Sequence, residues 1–326
     1  MASGGRHVQA GPYRLWVRLA GAGVRAVLLL HGFPDDASIW EPQVEALVAA
    51  GYRVIAPNML GYCGDDPATA SDAPHDVAAY GLGTVADGLV GLMDELGVGR
   101  AAVVGHDWGA AVAWRLALSH PGRVERLAVI SVGHPECGAA AGGLKQRRAW
   151  WYMFLFAHPG AEAWLTANDW ALLRELLGGA GGAPPEDQET YFRRLARPGA
   201  LASSLAWYRA NHSPAAIAST AVRRGGGGAT LAMPVLGLWP TRDGALTEAQ
   251  MTGSCAFVAG GPARWRYARL EGAGHWAQRD AAGEVSRRLL AFLREDFGGA
   301  QGGGSGSGGG RAVSVDLSLP QARAKL

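Results

Sequence analysis

The chain has 326 residues, 48% hydrophobic and 18% charged, with a formal net charge of +2 at pH 7. These values fit one large globular domain, or a domain carrying an insertion, with a full core. They single out no partner by charge, and no Arg/Lys stripe interleaved with aromatics supports nucleic-acid binding.

In chain order, the opening "MASGGRHVQAGPYRLWVRLAG" lacks the apolar stretch of a secretory signal. Four short apolar runs ending in turn residues follow, at 25–32, 52–58, 101–106 and 126–133. Each reads as a buried parallel strand. Between them, 89–97 and 109–120 carry apolar residues at helical spacing. The alternation predicts an α/β fold, a mostly parallel sheet with helices on both faces.

After His134 the rhythm changes to aromatic, helix-like segments such as "AWWYMFLFAHPG" and "ASSLAWYRAN", with Gly-rich stretches at 178–188 and 223–230. Residues 134–232 are expected to form a helical cap inserted into a core of 1–133 and 233–298. The sheet resumes at 233–240 and 263–272, and an amphipathic helix at 281–295 closes it. Residues 299–310 read as a Gly/Ser linker and 311–326 as a tail. No apolar run reaches the roughly 18 residues of a membrane span. Cys63, Cys137 and Cys255 lie far apart without metal-ligand spacing and read as reduced thiols inside a cell. No metal or organic cofactor is expected.

"GHDWGA" (105–110) carries the chemistry. Gly105 and Gly109 bracket Asp107 directly after a strand pattern and before a helix pattern, the context of a nucleophile elbow. Attack by a carboxylate on a saturated carbon leaves an alkyl ester, which water can hydrolyse, so displacement followed by ester hydrolysis is expected. At a reference pKa of about 3.9, Asp107 is expected to be ionised without help. His275 in "EGAGHWAQ" is the expected base, and Asp243 in "LWPTRDGAL" the acid that orients it. The order nucleophile, acid, histidine suits an α/β-hydrolase. Glu136, just after the strand at 126–133, is a rival acid. The backbone N–H groups of Phe33 and Trp108 are the expected oxyanion donors. His31 and His106 are expected to be structural; His134, His158 and His212 are expected in the cap or on the surface.

Together, "HGFPDDASIW", "GHDWGA", "LWPTRD" and "GAGHW" resemble the α/β-hydrolase-fold epoxide hydrolases over roughly residues 10–298. His31, Gly32 and Pro34 belong to that motif, and the resemblance implies a cis bond at Phe33–Pro34. It also implies that Tyr152 and Tyr208 match the family's lid tyrosines, which donate a proton to the epoxide oxygen; Tyr80 and Tyr191 carry no such match. The implied substrate is a small lipophilic epoxide.

The alternative is a haloalkane or haloacid dehalogenase, which shares the aspartate nucleophile but needs no proton for its leaving group. A non-catalytic ligand-binding protein on the same fold is a third reading. Asn58, Cys63, Gly133 and Pro240 depart from the family pattern and are expected to alter pocket shape. The ending Ala324-Lys325-Leu326 resembles a peroxisomal import signal, so a peroxisomal, otherwise cytoplasmic, monomer or homodimer is expected.

Overall fold

A computed structural model describes residues 4–137, 141–179, 181–212 and 230–297. Among these residues, eight strands form one sheet in the order β1-β2-β4-β3-β5-β6-β7-β8. They are β1 (Gly4–Ala10), β2 (Tyr13–Ala20), β3 (Ala26–Leu30), β4 (Arg53–Pro57), β5 (Ala101–His106), β6 (Val124–Ile130), β7 (Val235–Pro240) and β8 (Trp265–Leu270). From β4 to β8 every pairing is parallel. Every residue of β3, β5 and β7 is buried, which is why these strands read as unbroken apolar runs.

The hairpin β1–β2 was not expected. It pairs antiparallel with itself and then with β4. In β1 only Val8 and Ala10 are buried, so the strand has no apolar run to betray it.

Around the sheet lie α1 (Glu41–Ala49), α2 (Leu82–Glu95) and α3 (Trp108–Ser119). Among the described residues, five helices lie between β6 and β7: α4 (Gly143–Ala149), α5 (Trp151–Ala157), α6 (Ala161–Gly178), α7 (Pro185–Leu195) and α8 (Ala200–His212). After β7 come α9 (Glu248–Gly253), the single helical turn Ala277–Asp280, and α10 (Ala282–Arg294). Helix α1 packs on α10 and α2 on α3. No helix among the described residues is long and apolar enough to cross a membrane.

His134 corrects one expectation. It belongs to neither cap nor surface: it is 1% exposed, stacked on Phe257 at 4.1 Å and edge-on to Trp114 at 5.2 Å. Burial pulls its pKa down to about 4, so it packs as a neutral aromatic. The expected linker and tail, with Ala324-Lys325-Leu326, lie outside the described residues.

Candidate active site

The chain leaves β5 at His106 and enters α3 at Trp108, so Asp107 must make the whole turn. It does so at a positive φ of 51°, with ψ −122°, outside the regions an L-residue prefers. The flanking glycines permit this close approach. A Cβ on Gly105 would lie 2.4 Å from the Gly109 carbonyl oxygen, and one on Gly109 would lie 2.1 Å from that of Leu30.

The cis Phe33–Pro34 bond stands beside the elbow. The Phe33 N–H donates to Asp107 Oδ1 at 2.8 Å, and the Trp108 N–H also serves this carboxylate. Both expected oxyanion donors therefore face the nucleophile.

His275 follows β8, and its Nδ1 is 2.9 Å from Asp243 Oδ2. Its Nε2 is 3.8 Å from Asp107 Oδ2. The Asp243 side chain is wholly buried, and its Oδ1 accepts from the N–H groups of Ala245 and Leu246 at 2.8 and 3.0 Å. Glu136 is exposed and away from this contact, its N–H donating to His134 Nδ1, so Asp243 is the acid that the fold delivers to His275.

The electrostatics of the three groups are linked. Burial alone would lower the His275 pKa, yet Asp243 and Asp107 outweigh it and push it up to about 9. Burial raises the pKa of Asp107, opposed by His275 and by the Phe33 and Trp108 N–H groups. The expectation that Asp107 ionises without help needs that correction: its charge depends on the imidazolium and the two donors. Burial also acts on Asp243, but His275 and its hydrogen bonds hold its pKa below the ordinary carboxylate value.

His106 and His31 are structural, each locked as a neutral tautomer. His106 Nε2 meets the His275 carbonyl oxygen at 2.8 Å and its Nδ1 meets Gln278 Nε2 at 3.0 Å. His31 Nδ1 meets the Gly32 carbonyl oxygen at 2.9 Å while its Nε2 accepts from the Met59 N–H at 2.8 Å. One nitrogen donates and the other accepts in both rings, which leaves no place for a second proton.

A cavity of about 290 Å³ opens above the carboxylate. Asp107, His275, Tyr152 and Tyr208 all line it, the two phenol rings 6.1 Å apart on α5 and α8. Burial pushes both phenol pKa values well above 10, so both hydroxyls keep their protons at neutral pH.

Several site residues escaped the sequence reading. Asp35, inside "HGFPDD", is 2% exposed. Its oxygens accept from the Tyr191 hydroxyl at 2.7 Å and the Trp276 indole N–H at 3.0 Å. Burial raises its pKa to about 7. The doubled acid after Pro34 was its only signal. The Gly-rich segment at 178–188 was read only as one of two Gly-rich stretches that flank or interrupt the cap, yet Gly179, Gly181 and Gly182 line the cavity. The Gly181 carbonyl oxygen accepts from the His275 N–H at 2.9 Å. A Cβ on Gly181 would fall 1.9 Å from the Arg242 carbonyl oxygen, so only glycine lets this segment touch both triad loops.

None of the departures Asn58, Cys63, Gly133 and Pro240 lines the cavity itself. Asn58 instead ties two loops together, accepting from the Ala37 N–H and donating to the Thr69 carbonyl. Gly133 is pressed against Gln250, where a Cβ would have no room.

The sheet, the elbow and the triad order define an α/β-hydrolase, and residues 25–282 match the family described as the alpha/beta hydrolase fold. The chain belongs to that family and, within it, to the epoxide hydrolases. It is 33% identical to epoxide hydrolase A of Mycobacterium tuberculosis, over 88% of this chain and 96% of that protein. It is 34% identical to an epoxide hydrolase of Caballeronia sordidicola, over 86% and 90% of the two chains. The crystal structure of epoxide hydrolase A from Mycobacterium thermoresistibile superposes with a TM-score of 0.74 at 30% identity, covering 90% of this chain and 98% of that one.

Proposed function

We propose that this epoxide hydrolase opens lipophilic epoxides to vicinal diols through an ester on Asp107. The observation that carries the mechanism is the convergence of one carboxylate, one imidazole and two protonated phenols on a single cavity. Asp107 attacks a saturated ring carbon, the carbon–oxygen bond breaks, and Tyr152 or Tyr208 gives its proton to the departing oxygen. A hydroxyalkyl ester and a phenolate result.

Ester formation also prepares the second step. While Asp107 is charged, it helps hold a proton on His275. The ester is neutral, so that support vanishes and the imidazolium becomes a stronger acid. Its proton returns to the phenolate by way of solvent, and His275 is left as a base oriented by Asp243. It takes a proton from water, and the resulting hydroxide adds to the ester carbonyl. The Phe33 and Trp108 N–H groups hold the oxyanion. Collapse expels the diol oxygen, which takes the proton back from His275, and the carboxylic acid left on Asp107 passes its own proton to His275, restoring the starting ion pair.

Phe33, Trp151, Phe156, Leu176, Leu177 and Trp276 give the cavity its apolar lining, which favours a lipophilic substrate, lipid epoxides among them. The helices between β6 and β7 act as the cap that supplies both phenols. Ala324-Lys325-Leu326 stands as a proposed peroxisomal address, tested by imaging a fluorescent fusion with and without the tripeptide.

The activity test offers aryl and fatty-acyl epoxides beside chloro- and bromoalkanes and assays diol and halide together. Diol without halide is expected. Halide without diol would make the chain a dehalogenase and reduce both tyrosines to packing; neither product would favour a binding protein.

A further inference from the structure

The cap carries an apolar patch that the mechanism does not use. Leu144, Trp151, Phe154 and Trp164 are 62%, 51%, 61% and 46% exposed. Among the described residues only one other large apolar side chain is comparably exposed, Val24, on the loop between β2 and β3. Isolated exposed apolar residues are ordinary, but four between residues 144 and 164 are not.

Leu144, Arg147 and Arg148 on α4 and Trp151 and Phe154 on α5 are all exposed, Leu144 and Arg147 three residues apart on the first helix and Trp151 and Phe154 three apart on the second. The opposite side holds buried Gln146 and Phe156. Lys145, beside the stripe, is exposed too. None of Lys145, Arg147 and Arg148 has a carboxylate partner among the described residues, whereas Arg209 and Arg174 on the neighbouring cap helices are both paired. Trp, Phe and Leu interleaved with unpaired cations make the composition of a helix that lies in the plane of an anionic bilayer.

The patch is continuous with the substrate cavity. Trp151 is half exposed and also lines the cavity, together with Ala149 and Tyr152 from the same two helices.

We propose that α4 and α5 dock on an anionic lipid surface, with Trp151, Phe154 and Leu144 entering the headgroup boundary and Lys145, Arg147 and Arg148 meeting lipid phosphates and carboxylates. Docking turns the cavity mouth toward the phase in which an apolar epoxide is dissolved, so substrate passes from lipid to Asp107 without crossing bulk water. The purpose of the surface rests on the epoxide reading; the docking itself does not.

The test is flotation of the full chain with vesicles of phosphatidylcholine alone or with about 30 mol% phosphatidylserine, at low and physiological salt. Each cation near such a surface is worth about fivefold in partitioning. Wild type is expected to float with anionic vesicles, more weakly as salt rises. R147E/R148E is expected to lose at least about 25-fold of that partitioning, and F154S a further part of it. None of these three side chains lines the cavity, so both variants should keep turnover of a water-soluble epoxide. No flotation of wild type, equal flotation with neutral and anionic vesicles, or an unchanged R147E/R148E would each overturn the proposal. Flotation is read without turnover, so failure of the docking and failure of the epoxide reading show separately.

Discussion

Replacing Asp107 by Asn removes one negative charge with almost no change of shape, and its first effect should fall on His275. The lost charge lies 3.8 Å from Nε2. At an effective dielectric constant of about 20, that contact is worth about 4 kcal/mol, close to a thousandfold in proton affinity. The sign follows directly: an imidazolium that loses a neighbouring anion is easier to deprotonate. Asp243 remains at 2.9 Å, so the orientation of the ring should persist. The ring nitrogens of 15N-histidine-labelled protein, assigned by comparison with H275Q, would be titrated by NMR. The wild-type midpoint is expected near 9, and that of D107N near or below neutrality. A D107N midpoint that stayed near the wild-type value would refute the reasoning, because ester formation would then fail to release His275 as a base.

Tyr152→Phe and Tyr208→Phe should each lower kcat by about 100-fold, and the double variant by more, since removing one preorganised donor typically costs that much. An unchanged double variant would remove both from the mechanism. Gly32→Ala would place a Cβ 2.3 Å from Asp107 Oδ1; kcat should fall by at least about 100-fold while circular dichroism reports an intact fold. His275 also links stability to pH. Its folded pKa of about 9 exceeds the unfolded value of about 6.5, so its contribution, on the order of 3 kcal/mol, is fully present below pH ~6.5 and is lost as pH rises through the folded value. Urea melts of wild type and H275Q at pH 6 and 9.5 would show this as a pH slope that the variant lacks.

The sequence made the core of the site legible because its signals are local. A buried parallel strand reads as an apolar run, and a nucleophile elbow needs glycines two residues to either side of its tip. Asp107, Asp243 and His275 all sit where such runs end. The edge hairpin β1–β2 carried no such signal, since only Val8 and Ala10 of β1 are buried. The role of Asp35 was not legible for a different reason: its partners Tyr191 and Trp276 are 156 and 241 residues away, and only folding brings them together. His134 looked like a cap residue because the helical segment begins near it, yet its ring faces back into the core against Phe257. Gly179, Gly181 and Gly182 stood out only as part of a Gly-rich stretch in the cap, whereas in the fold their lack of side chains lets the cavity wall meet the triad loops.

The covalent step is the account's central claim, and a single turnover in water enriched in oxygen-18 tests it most directly. With enzyme in excess over epoxide, the first diol should carry ordinary oxygen drawn from Asp107. The peptide containing Gly105–Ala110 should gain about two mass units, the difference between the two oxygen isotopes, because the hydroxide adds at the ester carbonyl. Heavy oxygen in the first diol, with none in Asp107, would mean that water attacks the epoxide itself and that the carboxylate on the elbow is not the nucleophile.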